Sequence, residues 1–110
     1  MLVAAVLSAA LAGCGGGNTP EKVTEQFFKA ILNGNDKQAI NLCARENEAP
    51  ILVGMGKAAI ALDAETDYNF TITEETEGTA TVNVETKSGR HIAKVKLINQ
   101  DEKWKITYVG

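Results

Sequence analysis

The stretch DYNFTITEETEGTATVNVETKSGRHIAKVKLINQDEKWKITYV, residues 67–109, decides the fold, because its apolar side chains recur at every second position. Tyr68, Phe70 and Ile72 alternate with Asn69, Thr71 and Thr73; Ala80, Val82 and Val84 alternate with Thr81, Asn83 and Glu85. Ala93, Val95 and Leu97 then flank Lys94 and Lys96, and Trp104, Ile106 and Tyr108 flank Lys103, Lys105 and Thr107. Four antiparallel strands in a meander follow, each with one apolar face. A slip of one residue would turn a strand inside out, so the turns test the reading. A three-residue loop Thr76-Glu77-Gly78 pairs Ile72 with Val82 and Phe70 with Val84. A two-residue turn Ser88-Gly89 pairs Val84 with Ala93 and Val82 with Val95. An even-length loop over residues 99–102 pairs Leu97 with Trp104 and Val95 with Ile106. All three turns place the apolar residues on one inner face.

Upstream of the strands the period lengthens to that of helices. Thr19-Pro20 reads as an N-cap followed by proline at the first helical position, where no N–H is needed. Val23, Phe27, Ala30 and Ile31 then form one stripe, and Asn33-Gly34 is the stop. A second, shorter helix starts at Asn35 or Asp36, carries Ala39, Ile40 and Cys43 inward, and ends before Glu48-Ala49-Pro50. A third runs over about residues 50–62, with Ile51, Leu52, Met55, Ala58, Ala59 and Leu62 expected on the inner stripe. Helices first, then strands with one apolar face, predicts an α+β domain: N-terminal helices packed on one face of a four-stranded antiparallel meander sheet.

At 110 residues and 11.7 kDa the chain holds one small domain, and a net charge of -3 with a pI near 5.1 argues against a nucleic-acid partner. Residues 1–12 are apolar and rich in Ala and Leu, the character of a secretory signal, and no run of eighteen apolar residues forms a membrane span. Leu11-Ala12-Gly13-Cys14 resembles the lipobox of bacterial lipoproteins, in which a peptidase cuts before a cysteine diacylated on sulfur. That resemblance makes residues 1–13 a lipoprotein signal peptide and Cys14 the lipidated N-terminus. No Lys or Arg precedes the hydrophobic region, which predicts an upstream start. Residues 14–18, Cys14 and the Gly15-Gly16-Gly17-Asn18 run, form a flexible tether, and residues 19–110 the domain. Gly15 is not the aspartate associated with inner-membrane retention, so the resemblance implies a cell-membrane or outer-membrane anchor with the domain on the extracytoplasmic or periplasmic side. With Cys14 consumed, Cys43 has no disulfide partner and is expected in the core as a small apolar side chain.

The opening Thr19-Pro20-Glu21-Lys22-Val23-Thr24-Glu25-Gln26-Phe27-Phe28, the Asn33-Gly34-Asn35-Asp36 break and the closing Asp101-Glu102-Lys103-Trp104-Lys105-Ile106 resemble small bacterial lipoproteins of the nuclear transport factor 2-like superfamily. Many of these carry a domain of unknown function. The resemblance implies a cystatin-like architecture, helices against a curved sheet that can enclose a cavity. Superfamily members often add a short strand among the helices, and none is legible here.

The register brings Tyr68, Thr86 and His91 into one inward row with Tyr108 one step along, close to Phe28. These five residues are the candidate walls of a pocket for a small apolar ligand. Related folds include isomerases and dehydratases with a histidine or carboxylate in the cavity, so an enzyme of hydratase or isomerase type centred on His91 and Tyr68 is the alternative. Every inner sheet position lacks a carboxylate; only Asp63, Glu65 or Asp67 lies near enough in sequence to serve His91. One His and one free Cys have no metal-ligand spacing, and no metal or other cofactor is expected. Gly54-Met55-Gly56-Lys57-Ala58-Ala59 matches an alanine-ended dinucleotide fingerprint but lacks the following parallel strand. Asn69-Phe70-Thr71 matches a glycosylation acceptor that the lipobox makes irrelevant.

Charge divides the outer sheet face. Residues 65–85 hold carboxylates and no cation, whereas Arg90, Lys94, Lys96, Lys103 and Lys105 share the outward side of the last two strands, with Lys96 expected opposite Lys105. That arrangement is a candidate face for an anionic envelope component such as a phospholipid headgroup or cell-wall polymer. The sequence therefore predicts a membrane-anchored lipoprotein, not an enzyme, acting as a binding or interaction module in the cell envelope.

Overall fold

A computed structural model describes residues 18–61 and 67–110; the lipobox, the glycines after it, Leu62, Asp63 and Glu65 lie outside the described residues. The described residues form an α+β fold with helices α1 (Pro20–Leu32), α2 (Asp36–Asn41) and α3 (Ala49–Ala61). Strands β1 (Tyr68–Glu75), β2 (Thr79–Thr86), β3 (His91–Gln100) and β4 (Lys103–Val109) follow, in one antiparallel sheet of order β1-β2-β3-β4.

Helix α1 is bounded at both ends by its own sequence. The Thr19 side chain accepts from Lys22 N–H at 3.2 Å, and Pro20 occupies the first turn. At the far end Gly34 adopts φ 75°; its N–H donates to Ile31 O at 3.1 Å and Asn35 N–H donates to Ala30 O at 2.8 Å, the two bonds of a Schellman stop. Asn35 then caps α2 by accepting from Gln38 N–H at 3.2 Å, so one residue ends one helix and starts the next. The face α1 buries comprises Val23, Thr24, Phe27, Phe28, Ala30 and Ile31, and the Thr24 hydroxyl is satisfied by donating to Pro20 O at 2.7 Å.

Helix α3 turns a different face inward from the one its sequence suggests. Ala49, Leu52, Val53 and Gly56 are buried, whereas Ile51 is 66% and Met55 46% exposed and Ala58 is also exposed. Close approach to α1 sets this rotation. A Cβ on Gly56 would lie 2.6 Å from Ile31 Cδ1 and 3.0 Å from Phe27 Cε2, so any larger residue there must push the Ile31 side-chain end and the Phe27 ring aside. The dinucleotide-like Gly54-Met55-Gly56-Lys57 run lies inside this helix, with no strand leading into it.

The sheet keeps the expected inner face over most of its length. Phe70 pairs with Val84, Ile72 with Val82, Val84 with Ala93 and Val82 with Val95. Val82, Val84, Ala93, Val95, Leu97 and Ile106 are buried beneath the helices, with α1 over β1, β2 and β4 and α3 over β3 and β4, in a core that also takes Trp104 and Val109. Each strand pairing also carries a bulge, between Ile72 and Glu74, between Val84 and Glu85, and between Lys96 and Leu97. Each bulge adds a residue on one side, bends the sheet and changes which side chains face in beyond it.

All three turns depart from expectation. Thr76 N–H donates to Thr79 O at 2.8 Å and Glu75 pairs with Ala80, closing a two-residue loop Glu77-Gly78 instead of the three-residue Thr76-Glu77-Gly78; the bulge at Thr73 then restores the Ile72–Val82 pairing. Thr86 N–H donates to Arg90 O, closing a three-residue loop Lys87-Ser88-Gly89 instead of a two-residue one. The last hairpin is shorter than expected: Gln100 pairs with Lys103 across Asp101-Glu102, both at positive φ (54° and 66°), the geometry of a type I′ turn. Leu97 therefore pairs with Ile106, not Trp104. The shift is by two residues, so Trp104 and Ile106 stay inside.

The outer edge of β4 is closed by the chain itself. Ala44 N–H donates to Ile106 O at 2.8 Å and Ile106 N–H to Leu42 O at 2.9 Å, a parallel bridge at Cys43 between helices α2 and α3. Trp104 N–H donates to Asn18 Oδ1 at 2.8 Å, and Lys105 Nζ donates to Asn41 O at 2.9 Å. These contacts satisfy edge groups that would otherwise offer a template for pairing.

Candidate functional site

The five residues expected around one pocket separate into two groups. Phe28, Tyr68 and Thr86 come together: Tyr68 pairs with Thr86, and the Phe28 and Tyr68 rings meet edge-on at 6.4 Å between centroids. All three are buried. The Thr86 hydroxyl accepts from Arg90 N–H at 2.9 Å and shares a 2.9 Å hydrogen bond with the Ser88 hydroxyl, so it is already satisfied by the turn it starts. His91 and Tyr108 do not join them. The bulge after Val84 pairs His91 with Glu85, on the solvent side, and His91 is exposed. The bulge after Lys96 likewise turns Tyr108 outward, 47% exposed, and gives its inner place to Val109. Tyr68 and His91 thus lie on opposite faces of the sheet and do not line a common cavity. Of the carboxylates considered for His91, Asp67 is exposed at the start of β1.

The basic outer face is likewise not one patch. Lys94 and Lys96 are exposed neighbours on β3, but Arg90 sits beyond one end of the sheet and Lys103 at the other. Lys105 is drawn around the β4 edge to Asn41 O. Lys96 stands across from Tyr108, not Lys105, with its ammonium 5.6 Å from the ring centroid, so an expected repulsion is replaced by a cation–π contact.

Cys43 is buried, and its thiol donates to Ala39 O at 3.6 Å. Burial pushes its pKa up to about 11, with the nearby Lys105 charge acting in the opposite direction. A thiol held protonated in this way is a poor nucleophile. Among the described residues no group of three or more His, Cys, Asp or Glu side chains is placed to hold a metal ion, and no helix is long and apolar enough to cross a membrane.

One constellation went unrecognised in the sequence. On the outer face the two bulges at Thr73 and Thr107 border a depression of about 270 Å³ lined by Glu74, Thr79, Thr81, Lys96, Ile98 and Thr107. Glu74 pairs with Thr81, Thr81 with Lys96 and Lys96 with Tyr108, so acid, hydroxyl, base and aromatic ring form one row across all four strands. Unbroken alternation would place Thr73, not Glu74, on the outer face, and only the bulge brings Glu74 into the row.

No protein-family model matches the chain, no curated protein is similar to it in sequence, and no solved structure matches its fold.

Proposed function

We propose that this chain is a lipid-anchored lipoprotein whose α+β domain is a non-enzymatic binding or interaction module in the cell envelope, tethered through Cys14 to the cell membrane or outer membrane. What supports the reading is the sequence order, Leu11-Ala12-Gly13-Cys14 and then three glycines ahead of the described domain. Asn18 is locked by its side chain to the β4 edge, three glycines after the lipobox cysteine. A signal peptide, an acylated cysteine, a short glycine tether and then a self-contained fold is the order that a lipid anchor requires. One acyl chain holds only weakly, whereas two or three hold durably. The cystatin-like, nuclear transport factor 2-like arrangement belongs to the same proposal, supported by a long helix laid against a bulged sheet and by the bridge at Cys43.

The module reading draws support from the dispersal of the reactive groups. His91 is on the solvent side, the Cys43 thiol is buried, and the open polar surface is the outer depression. The hydratase or isomerase alternative needs His91 and Tyr68 on one cavity wall, and the bulge after Val84 separates them. Membrane fractionation tests the anchor. The native chain is expected to sediment with membranes and to partition into detergent, and Cys14→Ala to release it or leave it as an uncleaved precursor. Acylation-independent membrane retention of a processed Cys14→Ala chain would contradict the reading.

A further inference from the structure

The row Glu74, Thr81, Lys96 crosses the floor of the outer depression, and Thr81 is its least satisfied member. Thr81 is only 9% exposed, yet among the described residues its hydroxyl has no hydrogen-bond partner. Since Thr81 lines the depression, its hydroxyl is available to a donor or acceptor that enters there. Its neighbours are already engaged: the Thr79 hydroxyl lies 2.8 Å from that of Thr76, and Thr107 donates to Lys96 O at 3.2 Å. Among the described residues Glu74 and Lys96 form no salt bridge with each other or with a third residue. One strand separates them, so their Cα atoms stand roughly 10 Å apart at ordinary strand spacing, with the Thr81 hydroxyl between.

We propose that this depression binds a small zwitterion, a molecule bearing one primary ammonium and one carboxylate, of the size of a free amino acid. The ammonium lies toward Glu74; the carboxylate lies toward Lys96 and accepts from the Thr81 hydroxyl. Tyr108 holds the Lys96 ammonium from the far side, and Ile98 supplies an apolar wall. Size guides the class, since a volume of about 270 Å³ falls near the lower limit for small-molecule sites and suits a ligand of a few heavy atoms. A single charge of either sign would leave the opposite side chain unmatched. The inference rests on the binding-module reading and is independent of the lipid anchor.

Amide chemical-shift titration of the full chain in detergent micelles tests it, with alanine and 4-aminobutyrate as zwitterions and propionate and propylamine as single-charge controls. Saturable shifts centred on Thr81 and Lys96 are expected for at least one zwitterion, with both controls weaker by about tenfold or more. Thr81→Val and Lys96→Met are expected to weaken zwitterion binding by about tenfold, and Glu74→Gln to remove the preference over propionate. Lys96 and Glu74 are exposed, so their variants keep the test open if Thr81→Val fails to fold. Absence of saturable shifts, equal binding of the controls, or binding unchanged in Lys96→Met would overturn the proposal. An acylated Cys14 in the same preparation would leave the anchor standing.

Discussion

Two glycines one turn-half apart in α3 have opposite roles, and the difference is steric. A Cβ at Gly54 meets nothing within 4 Å, whereas one at Gly56 meets Ile31 and the fully buried Phe27 ring. Gly54→Ala is expected to raise stability by about 1 kcal/mol through helix propensity alone. Gly56→Ala gains the same propensity but forces an overpacked contact worth roughly 1–3 kcal/mol, for a net loss of about 1 kcal/mol. Urea melts of the two variants should therefore move in opposite directions. Cys43 supplies a second residue-scale prediction. Its thiol keeps its proton in the fold up to a pKa of about 11, against 9.0 for the ordinary group. The folded state binds the proton more tightly, so this contribution is complete below about pH 9 and is lost as pH rises toward 11. The decline is on the order of 2–3 kcal/mol at most, and urea midpoints of Cys43→Ala should show a flatter profile across that window. Thiol reagents at neutral pH should label the native protein slowly and the urea-unfolded chain fast.

At the scale of elements, the β3–β4 hairpin carries a local mismatch between sequence and conformation. Asp101 and Glu102 both adopt positive φ, a region that Asn-Gly occupies with little strain. Replacing the pair by Asn-Gly is expected to raise the melting free energy by roughly 1–2 kcal/mol, read by thermal or urea unfolding, with the amide pattern of β3 and β4 unchanged. A loss of stability would contradict the type I′ assignment. The same hairpin shows what was legible and what was not. The alternation Trp104, Ile106 fixed the inner face, but a four-residue and a two-residue loop preserve that alternation equally, so the loop length stayed open. Bulges are harder still. Nothing in Lys96-Leu97 or Thr107-Tyr108 marks an extra residue, and Tyr108 continues the alternation of Ile106 while Val109 breaks it, yet Val109 is the buried one. The inward placement of His91 failed for the same reason, one residue in a turn. Helix α3 misled differently: Ile51, Met55 and Ala58 make as plausible a stripe as Leu52, Val53 and Gly56, so its apolar pattern carried no direction and its contact with Phe27 and Ile31 decided. In α1, by contrast, cap, proline, stripe and Schellman glycine agreed, and the element stands where they placed it.

For the whole molecule, the distance between the anchor and the folded body constrains how the domain meets its surroundings. Four residue steps from Cys14 to Asn18 extend at most about 14 Å, so with Cys14 acylated as proposed the Asn18 end of the sheet would stay close to the lipid headgroups. That end carries the β1–β2 and β3–β4 turns with Glu74, Glu75, Glu77, Asp101 and Glu102 against Lys103. Such an end is repelled by anionic lipid within a Debye length of about 8 Å, which favours a domain held off the surface with its outer face accessible. The two proposals are thus compatible: a lipid at Cys14 would fix the place and leave the outer sheet face open to small solutes. The measurement that bears most directly on the account is the intact mass of the protein extracted from its native membrane. A chain beginning at Cys14 and carrying two or three acyl groups is the predicted result; an unacylated chain that retains residues 1–13 would contradict it.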